Sequence, residues 1–443
     1  MGKDLRGFLE EVKGETVTVD GPTDPRLGIS AYVEAYERLN QYPVLFFNDV
    51  EGRKVVTNVF ASLGRISVAL GCGSNEDPLS CFLRLFRERL QPQQAGIAKF
   101  EVEEDDLSSI PHIVHNELDG GPYIDSGITV LKDPESGAVN MGIYRHQIFD
   151  DKTLGFLADP VHDASTIIEK YSAMRKPAPV TINLSLHPAV YLGAVARLPQ
   201  PGGEMDVAGS FLHEPLRITG EVPYITHSEI VIEGEIEEPW KLREEGPFGE
   251  WPKYYSGKQM VPAITVRKVM RKKDFIYLDI ASAMKDHINL GVNLSNLAAV
   301  YEAVSSAVPS VTGVRFGYDF APLLYIQVRK KGDAKSAAMA ALAAEPMVRV
   351  VVVVDEDVPL GSDERVMWAL LTRASRNSYE VIHGATGSFL NPACYSAKYG
   401  EKRTMDDKLV IDATKPLGGY PPVAGVPDML VRSVFEKIKQ GSG

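Results

Sequence analysis

The sequence predicts a multidomain α+β and α/β protein, and three observations carry that expectation. The chain has 443 residues with 44% apolar and 24% charged composition, enough for two or three packed domains. Helix-period and strand-period segments alternate at both ends of the chain. In between, strand-like segments follow one another across Gly, Pro and Asp, which is the pattern of an antiparallel sheet or barrel. The resulting division is an N-terminal α/β unit (1–90), a central antiparallel, split-barrel-like domain (91–294), a linker helix (295–309) and a C-terminal α/β domain (310–443).

In the first unit LRGFLEEVKG and GISAYVEAYERL have helical periodicity. YPVLFFNDV and KVVTNVFAS are rich in β-branched and aromatic residues, and FLRLFRERL reads as a third helix. The central strands are ITVLKD, NMGIYRHQIF, PVTINLSL, SEIVIEGEIE and PAITVRKVM. No GxGxxG opens a helix after a strand, so a dinucleotide-binding Rossmann unit is not supported. SNLAAVYEAVSSAVP is an apolar-faced helix ending at a proline. In the last domain LLYIQVRK, VRVVVVVDED and KLVIDAT are strands, AKSAAMAALAAE and SDERVMWALLTRA are helices, and MLVRSVFEKIKQ closes the chain as an amphipathic helix suited to docking on a partner subunit.

Composition excludes several function classes. A formal net charge of -12 is wrong for a dedicated nucleic-acid binder. The charged start MGKDLRGFLEEVKG lacks a secretory signal's apolar core, and the five valines 350–354 end in acidic residues, too short to span a membrane. Cys72, Cys81 and Cys394 are not spaced as a metal cage. An odd count without a signal points to a reducing, cytoplasmic setting, with the cysteines as small buried hydrophobes.

The chemistry concentrates around EEGPFGEWPKYYSG, residues 244–257, where Glu245 and Glu250 flank a Gly-Pro-Phe-Gly turn. Such a turn brings two carboxyl groups from its shoulders into one pocket, where they titrate as a coupled pair. Upstream lie Asn140, a neutral oxygen donor, and Arg145, a planar fork for a carboxylate. His162 and Glu204 follow, and with Asn140 they make a ligand set for a divalent ion such as manganese. The residues alone leave three readings open. They fit a metal-dependent hydrolase using Asn140, His162 and Glu204, a glycosidase built on Glu245 and Glu250, or a non-catalytic subunit of a larger assembly.

The ordered set NMGIYR, DPVH, PQPGGE, SEIVIEGEI, EGPFGE and KLVIDAT resembles the UbiD family of decarboxylases, over residues 100–435. The resemblance implies a reversible, non-oxidative decarboxylase of an aromatic, heteroaromatic or α,β-unsaturated carboxylic acid. The central domain would bind prenylated FMN and the C-terminal domain would form a homodimer or a multiple of one. It implies that Asn140, His162 and Glu204 hold Mn2+ against the cofactor phosphate, and that K+ binds through main-chain oxygens. Met141, Gly142, Ile143 and Pro199 would line the flavin, and Lys408 would contact its phosphate. Arg145, Glu245 and Glu250 match the family's catalytic Glu-Arg-Glu network. Arg145 would orient the substrate carboxylate and pair with Glu245, leaving Glu250 to move the proton. His287 and Leu290 would line the substrate pocket. Some relatives acting on furan dicarboxylates carry a similar histidine followed by an arginine, but the neighbourhood here, VNLSNL, lacks that arginine. Cofactor supply would need a flavin prenyltransferase partner.

Overall fold

The computed structural model describes residues 3–441 apart from 75, 97, 99, 159–161, 199–201, 239, 293, 331, 389, 395–404 and 417. At its centre a ten-stranded sheet runs in the spatial order Tyr123–Ile124, His146–Asp150, Thr153–Gly155, Gln259–Arg271, Ile230–Ile236, Ala178–Leu184, Ile128–Lys132, Val139–Ile143. Leu242–Glu245 and Val102–Glu104 also pair with the long strand Gln259–Arg271, and all these pairings are antiparallel.

The connectivity forces the sheet to curl. Val139–Ile143 ends the order on one side and His146–Asp150 lies next to the end on the other, yet only Tyr144 and Arg145 join them. Three residue steps reach about 11 Å at full extension, so the two sides of the sheet must come round until they nearly meet. His146 seals this seam. Its Nε2 lies 2.8 Å from Thr129 Oγ1 on one side and its Nδ1 lies 2.9 Å from the Gly155 carbonyl on the other. Burial holds His146 down to about 4, so the ring is neutral and joins the two sides without a buried charge. The segment NMGIYRHQIF, expected as one strand, is therefore two strands with the seam between them.

The N-terminal sheet orders Thr16–Pro22, Val44–Val50, Arg53–Thr57 and Ile276–Leu278, the last strand arriving from beyond the half-barrel and pairing parallel to the third. Several short helices were not expected: Leu63–Ala69, Asp163–Ala173, Pro188–Ala194, Glu204–Leu212 and Lys285–Val292. The prolines and glycines that read as breaks between strands stand at helix starts instead. Pro188 opens one helix behind the His187 cap, and Gly203, at φ +104, precedes another. A further correction concerns cysteine: Cys72 and Cys81 are joined in a disulfide, while Cys394 is free and buried.

The C-terminal sheet orders Val311–Phe316, Leu323–Val328, Val350–Asp355, Met405–Asp412 and Tyr379–Thr386. The valine strand is central and parallel to both neighbours. Val351 and Val353 enter one apolar cluster and Val352 and Val354 another, which explains a run with no polar face. The helix Leu294–Ala307 packs its Leu297, Val300 and Val304 into the first of these clusters. No helix among the described residues is long and apolar enough to cross a membrane.

The helix Glu204–Leu212 is held by close approach of Pro188–Ala194. A Cβ built on Gly193 would stand 2.5 Å from both Cα and Cβ of Ala208. Gly193→Ala is expected to lower stability by about 1–3 kcal/mol through overpacking, read from the midpoint of chemical denaturation with an unchanged slope.

Candidate active site

At the seam Tyr144 and Arg145 take separate sets of partners, and a group of polar residues gathers around each. On one side Arg145 meets the turn after Leu242–Glu245. Its Nη2 donates to Glu245 Oε2 at 2.9 Å and to Ser256 Oγ at 3.3 Å, and its Nη1 donates to Glu250 Oε1. The guanidinium stacks 4.6 Å above the centre of the Phe248 ring. The side chain of Glu245 is fully buried, while Arg145 and Glu250 keep 9% and 12% exposure, so the glutamate open to a ligand is Glu250.

The two carboxyl groups are not equivalent. Glu245 also accepts from the Tyr123 hydroxyl at 3.0 Å, so each of its oxygens faces a donor. Burial raises the proton affinity of Glu250 above the ordinary carboxylate range, Arg145 pulls the other way, and the Glu245 charge adds to the rise. The expected division gave the ion pair to Glu245. The structure instead has Arg145 bridging both carboxylates.

The turn is shaped for this. Gly246 sits at φ +91, and its amide donates to Gln147 Oε1 at 3.0 Å. Gln147, two residues beyond Arg145 and on the same side of the chain, also accepts from Tyr123. Tyr123, Gln147 and Ser256 were missed by sequence reading. The period-two relation of Gln147 to Arg145 was the available signal.

His287 reaches this side, its ring 6.4 Å from Phe248. Burial, then the nearby Arg145 and His115, hold it down to about 4, so it is neutral. Its Nδ1 accepts the Ala283 amide at 3.2 Å, which puts the ring proton on Nε2. Leu290, one turn along the same helix, shares an apolar cluster with Met141.

On the other side Tyr144 collects the expected metal ligands. Its hydroxyl donates to Asn140 Oδ1 at 3.3 Å, and its ring centre lies 6.1 Å from that of the exposed His162. The ring occupies the space above Gly142, where a Cβ would meet it at 2.8 Å. Glu204 is buried, its proton affinity pushed up to about 7 by desolvation, and its Oε2 has no partner among the described residues. A buried, unpartnered carboxylate oxygen beside an amide oxygen and an imidazole is a donor set that fits a divalent cation. Met141, Gly142 and Ile143 form the strand where the sheet ends.

Two expected residues are not brought to this group. Lys408 donates to the Pro346 and Val348 carbonyls at 2.7 and 2.8 Å, with Asp406 at 3.5 Å, all inside the C-terminal domain. Pro199 lies outside the described residues.

Comparison with known proteins decides the family. The 3-octaprenyl-4-hydroxybenzoate carboxy-lyase models match as an N-terminal domain at residues 9–79, a Rift-related domain at 88–284 and a C-terminal domain at 292–413. A phenolic acid decarboxylase of Sedimentibacter hydroxybenzoicus is 30% identical over 95% of this chain and 93% of its own. The chain belongs to the UbiD family. It is thus a carboxy-lyase, a decarboxylase. An anhydromevalonate phosphate decarboxylase of Methanothermobacter thermautotrophicus is 28% identical over 93% of this chain and 97% of its own. Among solved structures, the UbiD-class enzyme HmfF from Pelotomaculum thermopropionicum, in complex with FMN, superposes with a TM-score of 0.88 at 27% identity, covering 97% of this chain and 98% of that one. UbiD membership sets aside the hydrolase, glycosidase and non-catalytic readings. The geometry agrees for the glycosidase, since Arg145 fills the space between the carboxylates where a sugar would have to lie.

In this UbiD chain Arg145 is the counter-charge of two enclosed carboxylates. Arg145→Ala is expected to destabilise the flavin-free protein by about 3–5 kcal/mol at neutral pH. The loss should shrink as pH falls and the glutamates take up protons, so denaturation midpoints of variant and wild type should converge on the acid side.

Proposed function

We propose that this protein decarboxylates an aromatic or heteroaromatic carboxylic acid, reversibly, with prenylated FMN as cofactor. The observation that carries the reading is Arg145 bridging Glu245 and Glu250, with burial raising the proton affinity of Glu250. HmfF, whose structures contain FMN and prFMN, and a relative named as a phenolic acid decarboxylase support the cofactor and the substrate class.

Asn140, His162 and Glu204 would hold a Mn2+ ion that offsets the cofactor phosphate, with K+ on main-chain oxygens and the strand Val139–Ile143 beside the flavin. Prenylated FMN, when bound, supplies the sink for the electron pair left on carbon as CO2 departs. The chain's own residues do the rest. Arg145 keeps Nη2 on Glu245 and turns Nη1 from Glu250 to the substrate carboxylate, which fixes the carboxylate's plane. Losing that partner raises Glu250's proton affinity further, so it takes a proton as the substrate's negative charge enters. Glu250 then gives this proton to the carbon that has lost CO2, or removes one in the carboxylation direction.

His287, neutral with its proton on Nε2, offers one donor to a ring oxygen or hydroxyl. A phosphorylated aliphatic acid would call for free cations. The lysines beside Glu250 and His287 are engaged, Lys253 with Glu37 and Lys285 with Asp319. This favours an aromatic acid. A homodimer would cover the closing helix Asp428–Gly441, which exposes Met429, Leu430 and Val434. Flavin prenyltransferase supply and a cytoplasmic setting complete the proposal.

The test is expression beside a flavin prenyltransferase, then assay of aromatic acids for CO2 release and deuterium incorporation. Glu250→Gln is expected to cut kcat by about 10²–10⁴-fold with KM nearly unchanged. Only the protonated carboxyl donates, so the decarboxylation rate should fall as pH rises through Glu250's raised value, at higher pH than an ordinary glutamate gives. No flavin absorbance, or a Glu250→Gln enzyme as active as wild type, would sink the reading.

A further inference from the structure

The turn that carries both glutamates is gripped from behind by residues 116–120, a segment with no part in the chemistry above. Asp119, 9% exposed, accepts the Gly249 amide on Oδ1 at 2.8 Å. Its Oδ2 accepts the Asn116 amide at 2.8 Å and Asn116 Nδ2 at 3.1 Å. Asn116 is fixed in turn by donating to Ser282 Oγ at 2.9 Å. Next to Asp119, the Gly120 amide donates to the Pro247 carbonyl at 2.7 Å, and the Leu118 amide donates to Tyr255 Oη at 3.1 Å. The surfaces meet at two glycines. A Cβ on Gly249 would lie 2.3 Å from Asn116 Nδ2, and one on Gly120 would lie 2.2 Å from the Gly246 carbonyl oxygen.

We propose that Asp119 is a positioning residue for Glu250: by holding the Gly249 amide it fixes the main chain from which the proton-donating carboxyl projects. Glu250's own amide donates to the Tyr254 carbonyl at 3.0 Å and its carbonyl accepts from the Lys253 amide at 2.8 Å, so the segment 250–254 is a local turn and Asp119 ties its start to the neighbouring segment. The Glu250 side chain bonds to Arg145 and to the Trp251 main-chain amide, and lacks the tyrosine hydroxyl that steadies Glu245. When Arg145 turns to the substrate, what keeps Glu250 aimed is main chain, the Trp251 amide on its carboxyl and the turn that Asp119 anchors at Gly249. A carboxylate suits this task because both its oxygens must accept, one for Gly249 and one for Asn116. An asparagine in its place would set an amide group against one of these donors.

The inference rests on the role given to Glu250, and the experiment separates the two. Wild type, Asp119→Ala, Asp119→Asn, Tyr255→Phe and Glu250→Gln are compared as holoenzymes on one aromatic acid. Hydrogen exchange at Gly249 is followed in the flavin-free proteins. Asp119→Ala is expected to lower kcat by about 10–100-fold with KM within about two-fold and flavin absorbance retained. Its Gly249 amide should exchange faster. Asp119→Asn should fall between, and it stands in should the alanine variant not fold. Tyr255→Phe loosens the same turn at another tether and should keep kcat. Wild-type kcat in the Asp119 variants, with Glu250→Gln inactive, overturns this proposal alone. Equal losses in Tyr255→Phe and Asp119→Ala also overturn it, since the effect is then general loosening. An active Glu250→Gln enzyme overturns the role of Glu250 and the positioning proposal with it.

Discussion

Two residues crossing the seam of a curled sheet set where the reactive groups sit. Had Tyr144 and Arg145 been a long loop, the sheet could have stayed open and the two sides could have drifted apart. With a link this short, the strand Val139–Ile143 and the strand His146–Asp150 must lie close, and neutral His146 closes the gap from inside. The guanidinium of Arg145 is therefore delivered to a fixed place by main-chain geometry before any side-chain interaction is counted. The turn at residues 246–249 is fitted to that place, through Gln147 and Tyr123 from the half-barrel and Asp119 from behind.

Enclosing two carboxylates with one guanidinium leaves an excess of one negative charge in a poorly solvated space. The molecule resolves this by treating the glutamates unequally. Glu245 receives hydrogen bonds from Arg145 and Tyr123, one on each oxygen. Glu250 has Arg145 for a side-chain partner, and desolvation dominates its balance. A second proton therefore goes to Glu250 most readily, which is the asymmetry an acid–base residue needs. The neutral His287 fits the same economy, since a second cation beside Arg145 would bind Glu250's charge and lower its affinity for a proton.

Much of this was legible in the sequence, and the part that was not has identifiable reasons. The valine strand 350–355 was readable because burial on both faces leaves an unbroken apolar run. The paired glutamates were readable because Gly246 and Gly249 mark a turn that few other residues permit. The short helices Pro188–Ala194 and Glu204–Leu212 were not, because Pro and Gly signal breaks whether they end a strand or open a helix. The split of NMGIYRHQIF was hidden because only Tyr144 and Arg145 separate its two strands, and neither is a glycine or proline that would mark a break. Lys408 was placed by resemblance, yet its ammonium is taken up by main-chain carbonyls of its own domain. Asp119 carries no local signature, and Gln147 only its two-residue spacing from Arg145. They matter through contacts with residues more than ninety positions away.

The seam also explains why two polar groups, one around Tyr144 and one around Arg145, form at adjacent residues yet keep separate partners. Tyr144 turns toward Asn140, His162 and Glu204, and Arg145 toward Glu245 and Glu250. Gly142 is what permits the first orientation, because a side chain there would occupy the place of the Tyr144 ring. Met141, on the strand Val139–Ile143, is buried in the same apolar cluster as Leu290. Burial, and after it the charges of Glu204 and Asp163, raise the proton affinity of Tyr144, so these carboxylates act on the tyrosine side of the seam.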